Sequence, residues 1–205
     1  MSQTNEERLN DLLARLDSLS YIKPDSIPDI PLYMDQVTTF MDEHLGHTKR
    51  YPEDKVLTKT MINNYAKNNL LPPPIKKKYS KEHMLMLIFI YYFKNLLSFN
   101  DIEELFRPIS GEHFNEQSGL SLEQIYNEVF ALEHDQMESL KADVREKFRL
   151  AAQTFDETGE GDQQYLQLFA FICELSFDVY LKNQMIEMLI DGLREETGTI
   201  SKKKK

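Results

Sequence analysis

Pro72, Pro73 and Pro74 stand in a row, and no other feature limits the folding of this chain as tightly. Each ring fixes φ and removes a backbone donor, so the chain is extended there and no helix crosses it. The flanks then take shape. Before the prolines, Thr58 reads as the N-cap of a helix over about residues 59–69, and Asn69 as the left-handed residue that closes it. After them come Lys76, Lys77 and Lys78. Ser80 follows as the cap of the next helix, with Glu82 in the first turn where the helix dipole favours a negative charge.

The formal net charge of −10 by itself argues against a nucleic-acid partner, but its distribution argues the other way. Residues 47–81 hold nine basic and two acidic side chains, net +7, between flanks of net −6 (1–46) and −11 (82–205). A basic island in an acidic chain is the electrostatic footprint of a phosphate-binding surface. In the helix 59–69, Met61, Ile62 and Tyr65, with Leu70 just beyond, share the apolar side. Lys59, Thr60, Asn63, Asn64 and Lys67 form the other. Lysine neutralises phosphates, and asparagine bonds the adenine edge in the major groove. Lys76, Lys77 and Lys78, running into Tyr79, fit the tip or strand of a small β-hairpin wing.

Elsewhere the chain reads as helix. Leu9, Leu12, Leu13, Leu16 and Leu19 mark an amphipathic helix over 5–19. Pro24, Pro28 and Pro31 make a connector, with Pro31 in the first turn of a helix over 31–45 that Gly46 ends. Residues 84–97 form an apolar helix whose purest run, 84–93, is short of the roughly 20 residues of a membrane span. Asn100 and Glu103 cap a short helix over 101–106, which Pro108 ends, and a loop follows. Ser121 and Gln124 make a capping box for a helix over 122–154. A last helix over 162–194 is apolar on more than one face as far as Tyr180, which predicts burial on two sides. Its stripe Phe169, Phe171, Phe177, Tyr180, Met185 and Met188 reads as core or as a dimer interface, with the lining of a pocket for a small-molecule effector as the alternative.

Tyr65, Leu70, Leu71, Pro72 and Tyr79 resemble the DNA-binding domain of MerR-type regulators, the helix 84–97 standing for that family's long apolar helix. More closely, residues 31–109 resemble an uncharacterised Gram-positive bacterial family, a domain of unknown function described as MerR-like, on the TKTMINNY helix and the KKYSKEH segment. The resemblance departs at Asn63 and Asn64, where MerR proteins carry Arg and Tyr, and at Asn69, where they carry Gly. What it implies is a mainly α chain: a MerR-like winged helix-turn-helix domain (28–110) with a small β-hairpin wing, then a helical C-terminal domain (111–197) for dimerisation or sensing. An N-terminal helix and connector (1–27) precede these, and a basic tail (198–205) follows. Double-stranded DNA and a second copy of the chain are the expected partners, and the expected role is transcription control. An interaction module for an acidic protein is the alternative.

Other chemistry is weak. The chain has no phosphate loop, GxGxxG or HExxH, and no legible nucleophile and base, so neither an enzyme nor a cofactor is expected. His44 and His47 lie three apart but lack a third ligand, and read as a solvated pair. Asp156, Thr158, Glu160 and Gly161 echo a calcium loop, with Gln167 where that loop needs glutamate; a plain loop is the expectation. Cys173 is the only cysteine, which excludes an intrachain disulfide and fits a reducing, cytoplasmic setting.

Overall fold

A computed structural model describes residues 3–17, 21–114, 119–157 and 159–198. Leu19, Thr158 and the basic tail from 199 lie outside the described residues. The elements are α1 (Asn5–Asp17), β1 (Leu32–Tyr33), α2 (Met34–Leu45), α3 (Lys59–Lys67), β2 (Lys78–Tyr79), α4 (Lys81–Phe93), α5 (Phe99–Pro108), α6 (Leu122–Ala151) and α7 (Glu160–Glu196). The chain is mainly helical, and β1 and β2 form one small antiparallel sheet. Two compact units result: Ile22–Glu128 with Glu187–Lys205, and Met1–Tyr21 with Val129–Ile186. The sequence reading laid its domains end to end, whereas these units interleave, because α6 and α7 contribute to both.

The first unit is built around α4. Its residues Met84, Leu85, Met86, Leu87, Ile88, Phe89 and Ile90 are all 6% exposed or less. A helix that is apolar on every side has no face for water, so other elements must enclose it. α2 turns inward Val37, Phe40, Met41 and Leu45, the spacing of one helical stripe, and α5 turns in Ile102 and Phe106. The Phe89 ring packs against those of Phe106 and Tyr126 at 6.3 and 5.3 Å. The Tyr126 hydroxyl, buried with its ring, donates to the Ile22 carbonyl at 2.6 Å, which gives the polar end of that ring its partner. The Lys94 ammonium donates to the Val56 carbonyl at 2.7 Å and lies 4.8 Å from the Tyr91 ring centroid. It therefore ties the link between α2 and α3 to the end of α4, and burial lowers its pKa.

The last turns of α7 belong to this unit. Ile190 is buried, and Arg194 pairs with Asp101 at 2.6 Å. Burial would raise the Asp101 carboxyl, but donors from Ser98 and Arg194 outweigh it and hold the pKa below its usual value. This pairing explains a difference from the sequence reading. α5 starts two residues before the expected site, with Ser98 and not Asn100 as its cap: the Ser98 hydroxyl accepts from the Asp101 amide at 3.2 Å. Other bounds differ for equally local reasons. α2 starts at Met34 because Leu32 and Tyr33 pair with β2. Pro108 closes α5 without an N–H to give, and a wide π turn, Ile109–His113, takes the place of the expected loop.

In the second unit, Leu13 of α1, Val144 and Ala151 of α6 and Phe171 of α7 form the buried core, with Leu9, Leu12, Leu16, Phe148 and Leu175 around it. Phe148 and Phe171 meet edge to face at 5.4 Å. Lys141 is buried between Asp17 and Glu138. Burial on two sides of α7 is not found. Phe171 is buried, but Phe169, Phe177, Tyr180, Met185 and Met188 are 52–73% exposed, so within its own chain α7 packs along one stripe. Among the described residues no helix is long and apolar enough to cross a membrane.

The central role of α4 makes a direct prediction. Met86→Ala removes a fully buried side chain from the enclosed helix and should lower the unfolding free energy by about 2–5 kcal/mol. Denaturant titration measures it; a loss below about 1 kcal/mol would contradict the enclosure.

Candidate nucleic-acid interface

α3 is terminated as its residues dictate. The Thr58 hydroxyl accepts from the Met61 amide at 3.2 Å. At the other end Asn69 takes φ +59, and the Tyr65 carbonyl accepts from the amides of Leu70 and Leu71 at 2.9 and 3.3 Å. That closure drops Leu70 and Leu71 into the core, each 1% exposed, and the prolines carry the chain back out. Ile75 and Lys78 then exchange two backbone hydrogen bonds, at 3.1 and 3.0 Å. Between them Lys76 (φ 50) and Lys77 (φ 63) are both left-handed. This is the pattern of a two-residue primed turn, which Asn-Gly fills readily. A residue with a Cβ costs roughly 1–2 kcal/mol in that conformation.

The expected hairpin is thus minimal, and the sheet itself joins distant segments. Leu32 pairs with Tyr79 and Tyr33 with Lys78. α2 adjoins β1, β2 and α3, so the lysine turn and α3 share one support.

Lys59, Thr60, Asn63, Asn64 and Lys67 are all exposed. At 100° per residue they span an arc of about 140°, opposite the buried Ile62 and Tyr65. Lys76 and Lys77 are exposed at the turn. The nine basic residues of the island are not equally available. Lys59 pairs with Asp35, Lys49 with Asp42, and Lys81 with Glu123 and Asp29. The Lys78 ammonium lies 5.0 Å from the Tyr33 ring centroid, a cation–π contact. Arg50 lies 5.3 Å from the Tyr51 ring centroid. Among the described residues Lys55, Lys67, Lys76 and Lys77 pair with no carboxylate, and of these Lys67 lies on α3 and Lys76 and Lys77 on the turn. Tyr79 is a correction. Only 3% exposed, it faces the core opposite Leu32 and holds the turn from beneath, out of reach of a ligand. Burial raises its hydroxyl pKa, as it does that of Tyr65.

The residue that sequence reasoning missed is His83. It is 2% exposed at the third position of α4, where a capping box ordinarily places Glu or Gln; that placement after Ser80 was the available signal. Its Nδ1 accepts from the Ser80 amide at 3.0 Å, which leaves the proton on Nε2. The ring meets Tyr79 and Phe114 edge-on at 5.4 and 4.8 Å. The buried Nε2 faces the carbonyls of Pro72 and Pro73 without a well-formed hydrogen bond. Burial lowers the His83 pKa, outweighing those carbonyls and Glu82. A neutral imidazole is therefore wedged between the proline link, the base of the lysine turn and the start of α4.

The other candidate groups are occupied elsewhere. His44 bonds through Nδ1 to the Phe40 carbonyl at 3.0 Å and stacks on that ring. Gln167 donates to the carbonyls of Ala152 and Thr154 at 2.9 and 3.0 Å, so it closes the end of α6 where the calcium motif would need an acceptor. Among the described residues no cluster of His, Cys, Asp or Glu could hold a metal ion.

The basic surface lies wholly within a recognisable domain. Residues 22–129 match the family described as "Domain of unknown function (DUF1836)", just over half of the chain, and the protein belongs to that family. No curated protein and no solved structure matches the chain. The family segment coincides with the main segment of the unit built around α4, Ile22–Glu128.

Two measurements test this geometry. Replacing Lys76 by Asn and Lys77 by Gly supplies residues suited to φ > 0 and should raise stability by about 1 kcal/mol; no gain in the denaturation midpoint would remove the argument for strain. His83 binds a proton less readily in the folded than in the unfolded state. Its contribution is complete above the unfolded value, near 6.5, and is lost as pH falls from there toward the depressed folded pKa. Melting temperature should drop across that window. In His83→Gln, whose amide oxygen still accepts from Ser80, that part of the drop should vanish.

Proposed function

We propose that this surface binds double-stranded DNA and that the protein acts in transcription control. In this reading the domain is a MerR-like winged helix-turn-helix. α3 enters the major groove, where Asn63 and Asn64 bond base edges and Thr60 and Lys67 flank them. Lys76 and Lys77 hold backbone phosphates, with Lys78 behind them and Lys59 at the start of the helix. The observation that carries the reading is the lysine turn. Two lysines occupy left-handed positions that favour Asn and Gly, and strain of this kind persists where a side chain is needed for contact. The uncharged, hydrogen-bonding face of Asn63 and Asn64 beside Lys67 gives that contact a direction. The single cysteine fits a cytoplasmic setting.

The link of residues 46–58 between α2 and α3 is longer than the 3–4 residues of a tight helix-turn-helix, and it favours as a second reading a module that grips an acidic protein segment. The two readings part in salt. On mixed-sequence duplexes, log K for DNA should fall linearly with log salt, by about 0.9 per neutralised phosphate. Lys67→Ala, Lys76→Ala and Lys77→Ala together should flatten that slope by up to about 2.7. Asn63→Ala with Asn64→Ala should leave the slope unchanged and reduce discrimination between selected and random duplexes by about 1–3 kcal/mol per lost base contact. Absence of duplex binding in fluorescence anisotropy at low salt, with binding of an acidic peptide, would replace this reading by the second.

A further inference from the structure

We infer that the exposed face of α7 in the unit of Met1–Tyr21 and Val129–Ile186 is covered by a second copy of this chain. The core of that unit uses one stripe of α7, centred on Phe171. A different stripe points to solvent. Tyr165, Phe169, Ile172, Val179 and Ile186 follow one another, with Ser176 and Asn183, in strict alternation of four and three residues. That is the repeat by which a helix pairs along its length with another of the same pattern. None of the seven positions is charged, as the desolvated centre of an interface requires. Tyr180, 60% exposed, flanks this stripe.

These six large apolar side chains are 37–67% exposed. At about 100 Å² each, roughly half of what an aromatic side chain buries, they present about 600 Å², the upper end of the 300–600 Å² of the largest apolar patch on a typical monomer and close to the apolar share, about 65%, of the roughly 800 Å² each partner buries in a standard interface. A two-fold pairing brings the same stripe from both copies, so each protomer supplies the cover the other lacks. The inference rests on this unit alone and stands or falls without the DNA reading.

The test needs the full chain and no ligand. Light scattering coupled to gel filtration at micromolar concentration should return twice the 24.1 kDa of one chain. Ile172→Glu with Val179→Glu, both at exposed positions, should return a single-chain mass while circular dichroism keeps its helical signal. Should that pair unfold the helices, Tyr165→Lys with Phe169→Lys, at the other end of the face, gives the same reading. A single-chain mass for the unaltered protein overturns the inference, and so does a doubled mass that survives both pairs of changes. Binding of the unaltered, single-chain protein to phosphatidylcholine vesicles, lost in the variants, would also overturn it and assign the face to lipid.

Discussion

Enclosure of α4 is the constraint on which the rest of the family domain depends. Seven consecutive residues without a solvent side leave a helix that is stable only if surrounded. α2, α3, α5 and the start of α6 supply the surround, and their apolar stripes have no other reason to face inward. The charged and hydrogen-bonded contacts sit at the edges of this arrangement. Lys94 holds the loop before α3, and Arg194 holds the end of α7 to α5. They place elements that hydrophobic burial has already stabilised.

The lysine turn inherits its position from the same enclosure. Tyr79 is buried beside His83, His83 caps α4, and β2 pairs with β1 at the entrance to α2. Lys76 and Lys77 are thereby held out on a short, strained turn whose base cannot shift without disturbing the core. The neutral His83 makes that base sensitive to acid, since charging it would place an ion among Tyr79, Phe114 and proline carbonyls. Rigid support beneath exposed cations is what a phosphate-binding edge requires, because little conformational entropy is then lost on contact.

Much of this was legible in local sequence. The Thr58 cap, the left-handed Asn69, the proline link, the Ser80 start and the Ser121–Gln124 box are short-range rules, satisfied by neighbours in the chain, and each appears where its residues stand. The exposed face of α3 follows from its spacing. Tyr79 was misplaced and His83 missed because their burial depends on segments far away: Leu32 across the sheet and Phe114 beyond α5. The start of α5 was misplaced for a similar reason. Asn100 and Ser98 are both acceptable caps, and Asp101, held by Arg194 from the far end of α7, selects Ser98.

By itself the sequence determined a mostly helical chain with one basic segment, the places where α3 and α4 begin, and the extended link that separates them. These follow from φ limits, capping and charge, all of which act within a few residues. Tertiary structure alone decided which cations are paired: among the described residues Lys49, Lys59 and Lys81 find carboxylates on other elements, while Lys55, Lys67, Lys76 and Lys77 do not. It alone decided that the sheet joins β2 to a strand before α2. It also turned the apolar stripe of α7 outward, because α1 and α6 offer that helix only one side to bury. Long-range pairing of charge and apolar surface has no signature in local spacing, and it is long-range pairing that shapes both the basic surface and the exposed one.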